Sequence, residues 1–282
     1  MILVTSATGT VGSEVVKLLK SQGVPVTAAS REPAKAGAKL GVPATAWDWS
    51  RPQAFGPALQ GVQTLFLGTP PGTTEEKVYG LSAVAAAKQA GVKKIVKLSA
   101  IGVENMPDSP HRQIELAIEE GGFHWVFLRP NFFMQNLNES MAAEIKQAAG
   151  ISVPTGDGRT SVIDARDIAA VAAVALTSDK LDGQGLTLTG PESLSYDEMA
   201  SQLGRVIGKT LVHRDVPAAD YGKALVGAGV PLHYAEFLTM LYDQVVKKGY
   251  LAAVNDSVKK ATGRDPIRFA QYAQDYAAAF KG

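Results

Sequence analysis

Met1-Ile2-Leu3-Val4-Thr5-Ser6-Ala7-Thr8-Gly9-Thr10-Val11-Gly12 sets an apolar run, a glycine turn and the start of an amphipathic helix in twelve residues. An apolar, largely β-branched run over Ile2 to Thr5 predicts a strand, and Val11, Val15, Val16, Leu18 and Leu19 recur at the spacing of an amphipathic helix. Between them lies a turn with glycine at positions 9 and 12. Glycine lets backbone approach a ligand closely, and a helix start offers unpaired N–H groups and a positive dipole end. Strand, glycine turn and helix in that order suit a pyrophosphate, whereas the glycine pair by itself fits a plain structural turn equally well. The expected cofactor contacts here are Ser6, Thr8, Gly9, Thr10, Val11 and Gly12. Ser6 stands where the dinucleotide fingerprint has its first glycine, and serine takes positive φ less readily than glycine does.

Working outward, Val24 to Ser30 reads as a second strand ending in Ser30-Arg31-Glu32-Pro33, with Lys35 and Lys39 following. The end of this strand meets the adenosine ribose in a dinucleotide fold, where an acidic residue selects NAD. Ser30 and Arg31, with Lys35 close behind, suit a 2′-phosphate instead, so NADP(H) is expected over NAD(H); a solvated strand-end arginine is the plainer alternative for Arg31. Ala44 to Trp49 reads as a third strand, and Asp48 at its end is either an adenine contact or the cap of the next turn.

Thr64 to Thr69 is apolar enough for a strand buried on both faces, and its Gly68-Thr69-Pro70-Pro71-Gly72 loop is expected to wall the cofactor cleft. A helix over Glu75 to Ala90 should present Val78, Leu81, Val84 and Ala85 to the core. The fifth strand, Lys94 to Ala100, is interrupted by Lys97, which is expected to reach the sheet edge or a carboxylate; Ser99 closes it, beside the place of a nicotinamide ring. Ser109 to Glu120 reads as a helix and His124 to Leu128 as a sixth strand.

Alternating apolar strands and helices predict an α/β fold: a Rossmann-type doubly wound, mostly parallel sheet over residues 1–150, to which later segments return. Residues 151–282 are expected to form a smaller, mixed, mainly helical lobe for substrate. Within it Ser195-Tyr196-Asp197-Glu198 is a capping box. Tyr234, Phe237, Leu238, Met240, Leu241 and Tyr242 form a stripe read first as packing and second as a lid.

Bulk composition narrows the partners. Of 282 residues, 46% are hydrophobic and 20% charged, with a formal net charge of +1, so the electrostatic footprint of a nucleic-acid binder is missing. No apolar run is long enough for a membrane span. The absence of cysteine removes disulfides, thiolate metal sites and cysteine nucleophiles. With a strand starting at Ile2, no leader is expected and the expected compartment is the cytoplasm. A homodimer is left open.

Several motifs together carry a family resemblance: Ser6-Ala-Thr-Gly9-x-x-Gly12, Ser30-Arg31-x-Pro33, the segment from Ala86 to Lys94, Leu98-Ser99, Leu128-Arg129-Pro130 with Asn136, and Asp164-x-x-Asp167-Ile168-Ala169. Over nearly its whole length the chain resembles the NmrA-like branch of the atypical short-chain dehydrogenase/reductases. That resemblance implies a bound NAD(P)(H). It leaves the reaction open, because the branch holds quinone, azo-dye and triphenylmethane reductases beside redox-sensing regulators.

Other members of the superfamily use Tyr-x-x-x-Lys to move a proton at the substrate oxygen, and no such motif occurs here. His111 stands near the tyrosine place and Glu115 at the lysine place, on one helix face at i, i+4. His111 is the candidate general acid, with Glu115 expected to keep it charged; the alternative is an idle helix-start residue. Reduction of an electron-poor acceptor needs less machinery than alcohol oxidation, chiefly an apolar slot beside the ring. Phe132, Phe133, Met134 and the Pro70-Pro71 loop are candidates for that slot. Asn131 and Asn136 are read as turn and helix caps ahead of any pocket role for Asn131. An NADPH-dependent reductase of a quinone-like or conjugated aromatic acceptor is the leading expectation. A non-catalytic NADP(H) sensor acting through a protein partner is second, and a nucleotide-sugar reductase or epimerase third.

Overall fold

The computed structural model describes residues 1–70, 72 and 74–281, so Pro71 of the expected cleft wall lies outside the described residues. In chain order the first elements are β1 (Ile2–Val4), α1 (Thr10–Ser21), β2 (Val26–Ser30), α2 (Pro33–Leu40), β3 (Ala44–Ala46), α3 (Phe55–Ala58) and β4 (Thr64–Leu67). They continue as α4 (Glu76–Gln89), β5 (Lys94–Leu98), α5 (Pro110–Glu120) and β6 (His124–Pro130). A strand from Gln184–Leu188 completes a seven-stranded sheet in the order β3-β2-β1-β4-β5-β6 and then that strand. Every pair in it is parallel, as in Leu3 beside Leu65 and Val96 beside Val126. Strand order reverses direction between β1 and β4, and in open α/β sheets ligands bind outside the carboxyl ends of the strands at that point. Burial explains why so many strands read as unbroken apolar runs: Leu3, Val4, Leu65, Phe66, Ile95, Val96 and Phe127 are all 0% exposed.

The chain divides into two compact units. The first takes residues 1–130, 165–188 and 257–264; the second takes 131–164, 189–256 and 265–282. In the first, the helix Ala165–Thr177 packs against α1 and the helix Ser257–Thr262 packs against Ala165–Thr177. In the second, the helix Tyr196–Ile207 begins with the expected capping box, Ser195 Oγ accepting from Glu198 N while the Glu198 carboxylate accepts from Ser195 N. The aromatic stripe there divides into an α-helix over Leu232–Met240 and a π-helical turn over Leu241–Val246 that carries Tyr242. Among the described residues no helix is long and apolar enough to cross a membrane.

Two expectations need correction. Val84 is buried as expected, but Val78 is exposed and Leu81 and Ala85 are not buried; beside Val84, α4 turns Gly80, Ala83 and Ala87 inward. The cause is its close approach to α5, since a Cβ on Gly80 would lie 2.2 Å from Ile114 Cδ1. Lys97 does not reach the sheet edge. It lies on the interior strand β5, flanked by β4 and β6, and is completely buried.

Candidate functional site

The turn after β1 is built by its own backbone. Gly9 N donates to Ser6 O at 2.9 Å, and Ser6 adopts φ +48°, the left-handed conformation that glycine takes in the usual fingerprint. Ser6 Oγ donates to Gly68 O at 2.8 Å, and Thr5 Oγ1 both accepts from Gly68 N and donates to Gly68 O, tying this turn to the end of β4. Gly12 has no room for a side chain, because a Cβ there would sit 2.2 Å from Ser6 O. Gly9 is the N-cap of the 12-residue helix α1 and brings no side chain across its N-terminus. A tight turn, a helix start left open and a position that only glycine fills together make a cradle that fits a dinucleotide pyrophosphate.

A cavity of about 280 Å³ adjoins that turn, lined by Thr8, Ser30, Glu32, Lys35, Ala36 and Lys39. Two lysines and a serine at the end of β2 suit a phosphate. Ser30 Oγ accepts from Glu32 N, and Lys35 pairs with Glu32 at 3.4 Å on an exposed surface. Arg31 is exposed and is not among the lining residues; its charge acts on Asp48. Asp48 accepts from Ser50 Oγ and Ser50 N at 2.7 and 3.0 Å, the cap arrangement, and these bonds hold its carboxyl below the usual range.

The carboxyl ends of β4, β5 and β6 carry two polar chains. In the first, Thr69 Oγ1 donates to Glu76 Oε1 at 2.5 Å, and the same oxygen lies 3.4 Å from His111 Nδ1. Lys97 Nζ lies 3.1 Å from that Nδ1 and donates to Leu98 O at 2.6 Å. In the second, Ser99 Oγ donates to Glu115 Oε1 at 2.7 Å, and Arg129 grips both Glu115 oxygens, Nε to Oε1 at 3.0 Å and Nη2 to Oε2 at 2.8 Å. Arg112 Nη1 donates to Glu115 Oε2 as well. Room for the Arg129 fork comes from the neighbouring strand, where a Cβ on Gly185 would meet the guanidinium at 2.7 Å.

His111 and Glu115 therefore share a helix but not a pair, which corrects the expectation that Glu115 keeps His111 charged. Burial and the Lys97 ammonium push His111 well below its ordinary value, so the ring is neutral at pH 7. Burial works to raise Glu115, but hydrogen bonds from Arg129 and Ser99 outweigh it and hold the carboxyl low. The members missed by sequence reading are Glu76 and the clamp role of Arg129. A lone arginine directly after an apolar strand, with an unexplained carboxylate on the preceding helix, was the available signal for the latter.

The remaining candidates lie in the second unit. Asn131 is buried, with Nδ2 donating to Ser161 Oγ and Leu251 O and Oδ1 accepting from Phe132 N, so it anchors the segment and does not cap a helix. Met134 is buried. Asn136 opens the helix Asn136–Ser140 without a side-chain cap. Phe132 and Phe133 are half-buried, and the Phe132 ring stacks on Tyr242 at 5.3 Å, with Tyr196 and Tyr221 edge-on to Tyr242. Among the described residues no cluster of His, Cys, Asp and Glu is placed to hold a metal ion.

Known proteins share this fold. The NAD(P)H azoreductase of Xenophilus azovorans is 39% identical over 99% of this chain and 99% of its own length. The NADPH-dependent quinone oxidoreductase of Escherichia coli, solved with NADPH, superposes with a TM-score of 0.86 at 26% identity over 98% of this chain and all of that one. Triphenylmethane reductase of Citrobacter sp., complexed with NADP(H), gives a TM-score of 0.84 at 26% identity over 98% of this chain and 100% of that one. A family model for the NmrA-like family matches residues 1–265, and the chain belongs to that family.

Proposed function

We propose that this protein is an NADPH-dependent reductase that passes hydride to a quinone-like or other conjugated aromatic acceptor. One observation carries the reading: among the described residues, the carboxyl ends of β4 and β5 present no free base at rest. Ser99 gives its hydroxyl proton to Glu115, Glu115 is saturated by two arginines, and His111 Nδ1 is occupied by Lys97. An electron-poor acceptor needs no such base, and an azoreductase, a triphenylmethane reductase and a quinone oxidoreductase among the relatives support that class.

In this reading the turn from Ser6 to Gly12 holds the pyrophosphate. Ser30, Lys35 and Lys39, with Arg31 alongside, face the 2′-phosphate; Asp48 lies at the adenine end. Gly68, Thr69 and Pro70 border the nicotinamide with Ser99. When bound, the dinucleotide supplies the hydride. Thr69, held by Glu76, and Ser99, held by Glu115, fix a rigid polar floor on which donor and acceptor meet. Within the second unit, Phe132 stacked on Tyr242 is an aromatic surface suited to a flat ring.

The test is NADPH consumption on adding p-benzoquinone or a cationic triarylmethane dye to the full chain. Turnover with either supports the reading. Calorimetric NADPH binding without turnover across a wide acceptor panel refutes it and leaves the nucleotide-sensor reading in its place.

A further inference from the structure

We propose that Lys97 supplies the proton that completes quinone reduction, passing it through the imidazole of His111 to the acceptor oxygen. The inference rests on the reductase reading and assigns a role to a residue that binding and hydride transfer leave unused.

A lysine on an interior strand of a parallel sheet, with none of its side chain in water, is unusual on its face. Its ammonium is held by one backbone carbonyl, Leu98 O, and by one ring nitrogen, His111 Nδ1. A lysine ammonium can only donate, so Nδ1 accepts and the neutral ring carries its hydrogen on Nε2. Nε2 has no hydrogen-bond partner among the described residues and is not sealed from solvent, and 27% of the His111 side chain is exposed. The ring therefore bridges a buried acid and an open edge.

Proton stoichiometry gives the bridge its use. Hydride addition to a quinone leaves one oxygen as an anion, which needs one proton to become the hydroquinone. His111 gives the Nε2 proton to that oxygen while Nδ1 takes a proton from Lys97, leaving a neutral amine and a neutral imidazole of the other tautomer. Lys97 then recovers its proton from water by the reverse path through the same ring. Glu76 Oε1, 3.4 Å from Nδ1 and fixed by Thr69, is placed to accept from Nδ1–H while the proton crosses.

Burial brings the ammonium down to about 8, with Glu76 and Glu115 opposing a further fall. It is thus charged at pH 7 yet a far better acid than an exposed lysine. The groups that act on it are Glu76 on α4 and His111 and Glu115 on α5, and Glu115 in turn is paired with Arg112 and Arg129, the latter 3.5 Å from Glu104. Burial, opposed by the Glu76 and Glu115 carboxylates, sets the proton affinity of Lys97.

A cationic triarylmethane dye separates this relay from hydride transfer, because hydride on its central carbon gives a neutral product that needs no proton. In the full chain with NADPH, Lys97→Met is expected to lower p-benzoquinone turnover at pH 7 about 100-fold, with dye reduction and NADPH affinity within about threefold of the native protein. Native quinone turnover should hold level below pH 8 and fall about tenfold per pH unit above it. Nitrogen-resolved NMR of the ligand-free protein should show His111 with its proton on Nε2 and a shift near pH 8 that Lys97→Met removes. Should that variant not fold, the native pH profile and the native NMR titration still decide. Equal loss toward both acceptors, no loss toward either, no fall above pH 8, or an Nδ1–H tautomer at pH 7 each overturns the relay. A native protein that reduces the dye but no quinone overturns the relay and keeps the hydride reading, whereas one that reduces neither overturns both.

Discussion

Glu115→Gln removes one charge from an enclosed ion pair of the first unit and leaves the other in place. Glu115 is completely buried, Arg129 is 12% exposed, and the two meet through a bidentate fork. Removing one partner of a buried pair costs about 3–5 kcal/mol, mostly because the surviving charge is left desolvated. Arg129 keeps Glu104 at 3.5 Å and Arg112 keeps Glu119 at 3.3 Å, both partly exposed, which places the expected loss near the lower bound. A loss of about 3 kcal/mol lowers Tm by roughly 5 °C if the whole chain melts together, or by roughly 9 °C if the first unit melts by itself. The pH dependence has a definite sign. The folded carboxyl lies below its unfolded value, so its contribution is complete above the unfolded carboxylate pKa of about 4.3 and is lost as pH falls through the folded one. Thermal melts of the two proteins should differ most at pH 5 to 7 and converge in acid. Melting within about 1 °C at pH 7, or a gap that widens toward acid, would refute the reasoning.

Further outcomes follow from the cradle and the cavity. Gly12→Ala puts a methyl 2.2 Å from Ser6 O, and calorimetry should show NADPH affinity about five- to 150-fold weaker, the equivalent of about 1–3 kcal/mol of overpacking at the turn. Ser6→Ala and Ser6→Gly both lose the bond to Gly68 O, but only glycine relieves the φ of +48°, so chemical denaturation should find the glycine variant more stable by about 1 kcal/mol. Replacing Lys35 and Lys39 together with alanine should weaken NADPH about tenfold and leave NADH nearly unchanged, with Arg31→Ala acting in the same sense but less strongly; equal loss of both nucleotides would remove the 2′-phosphate assignment.

Much of the first unit was legible because its strands are buried on both faces and so read as unbroken apolar runs between helices. The glycine turn was legible for a related reason: Gly12 stands where only backbone fits. What escaped was decided by sheet order. Of the two places expected for Lys97, the sheet edge proved wrong, since nothing local says that β5 lies inside the sheet, while the carboxylates of Glu76 and Glu115 do act on it. His111 and Glu115 looked like a pair because they are neighbours on α5, yet each finds a stronger partner across the sheet, Lys97 on β5 and Arg129 on β6. The face of α4 was misread for want of its neighbour, since the close approach of α5 selects Gly80 and Ala83 over the larger Val78. Glu76 gave no signal beyond an ordinary acidic residue in a helix's first turn.

The proposed reductase passes hydride directly from the nicotinamide to a conjugated acceptor. Its most direct test is a single turnover of the full chain with NADPH deuterated at nicotinamide C4 and a cationic triarylmethane dye, followed by mass and NMR analysis of the colourless product. Deuterium on the central carbon of the dye, from one face of the nicotinamide only, is the predicted result. Dye that stays coloured while NADPH binds, or colourless product without deuterium, would contradict the account.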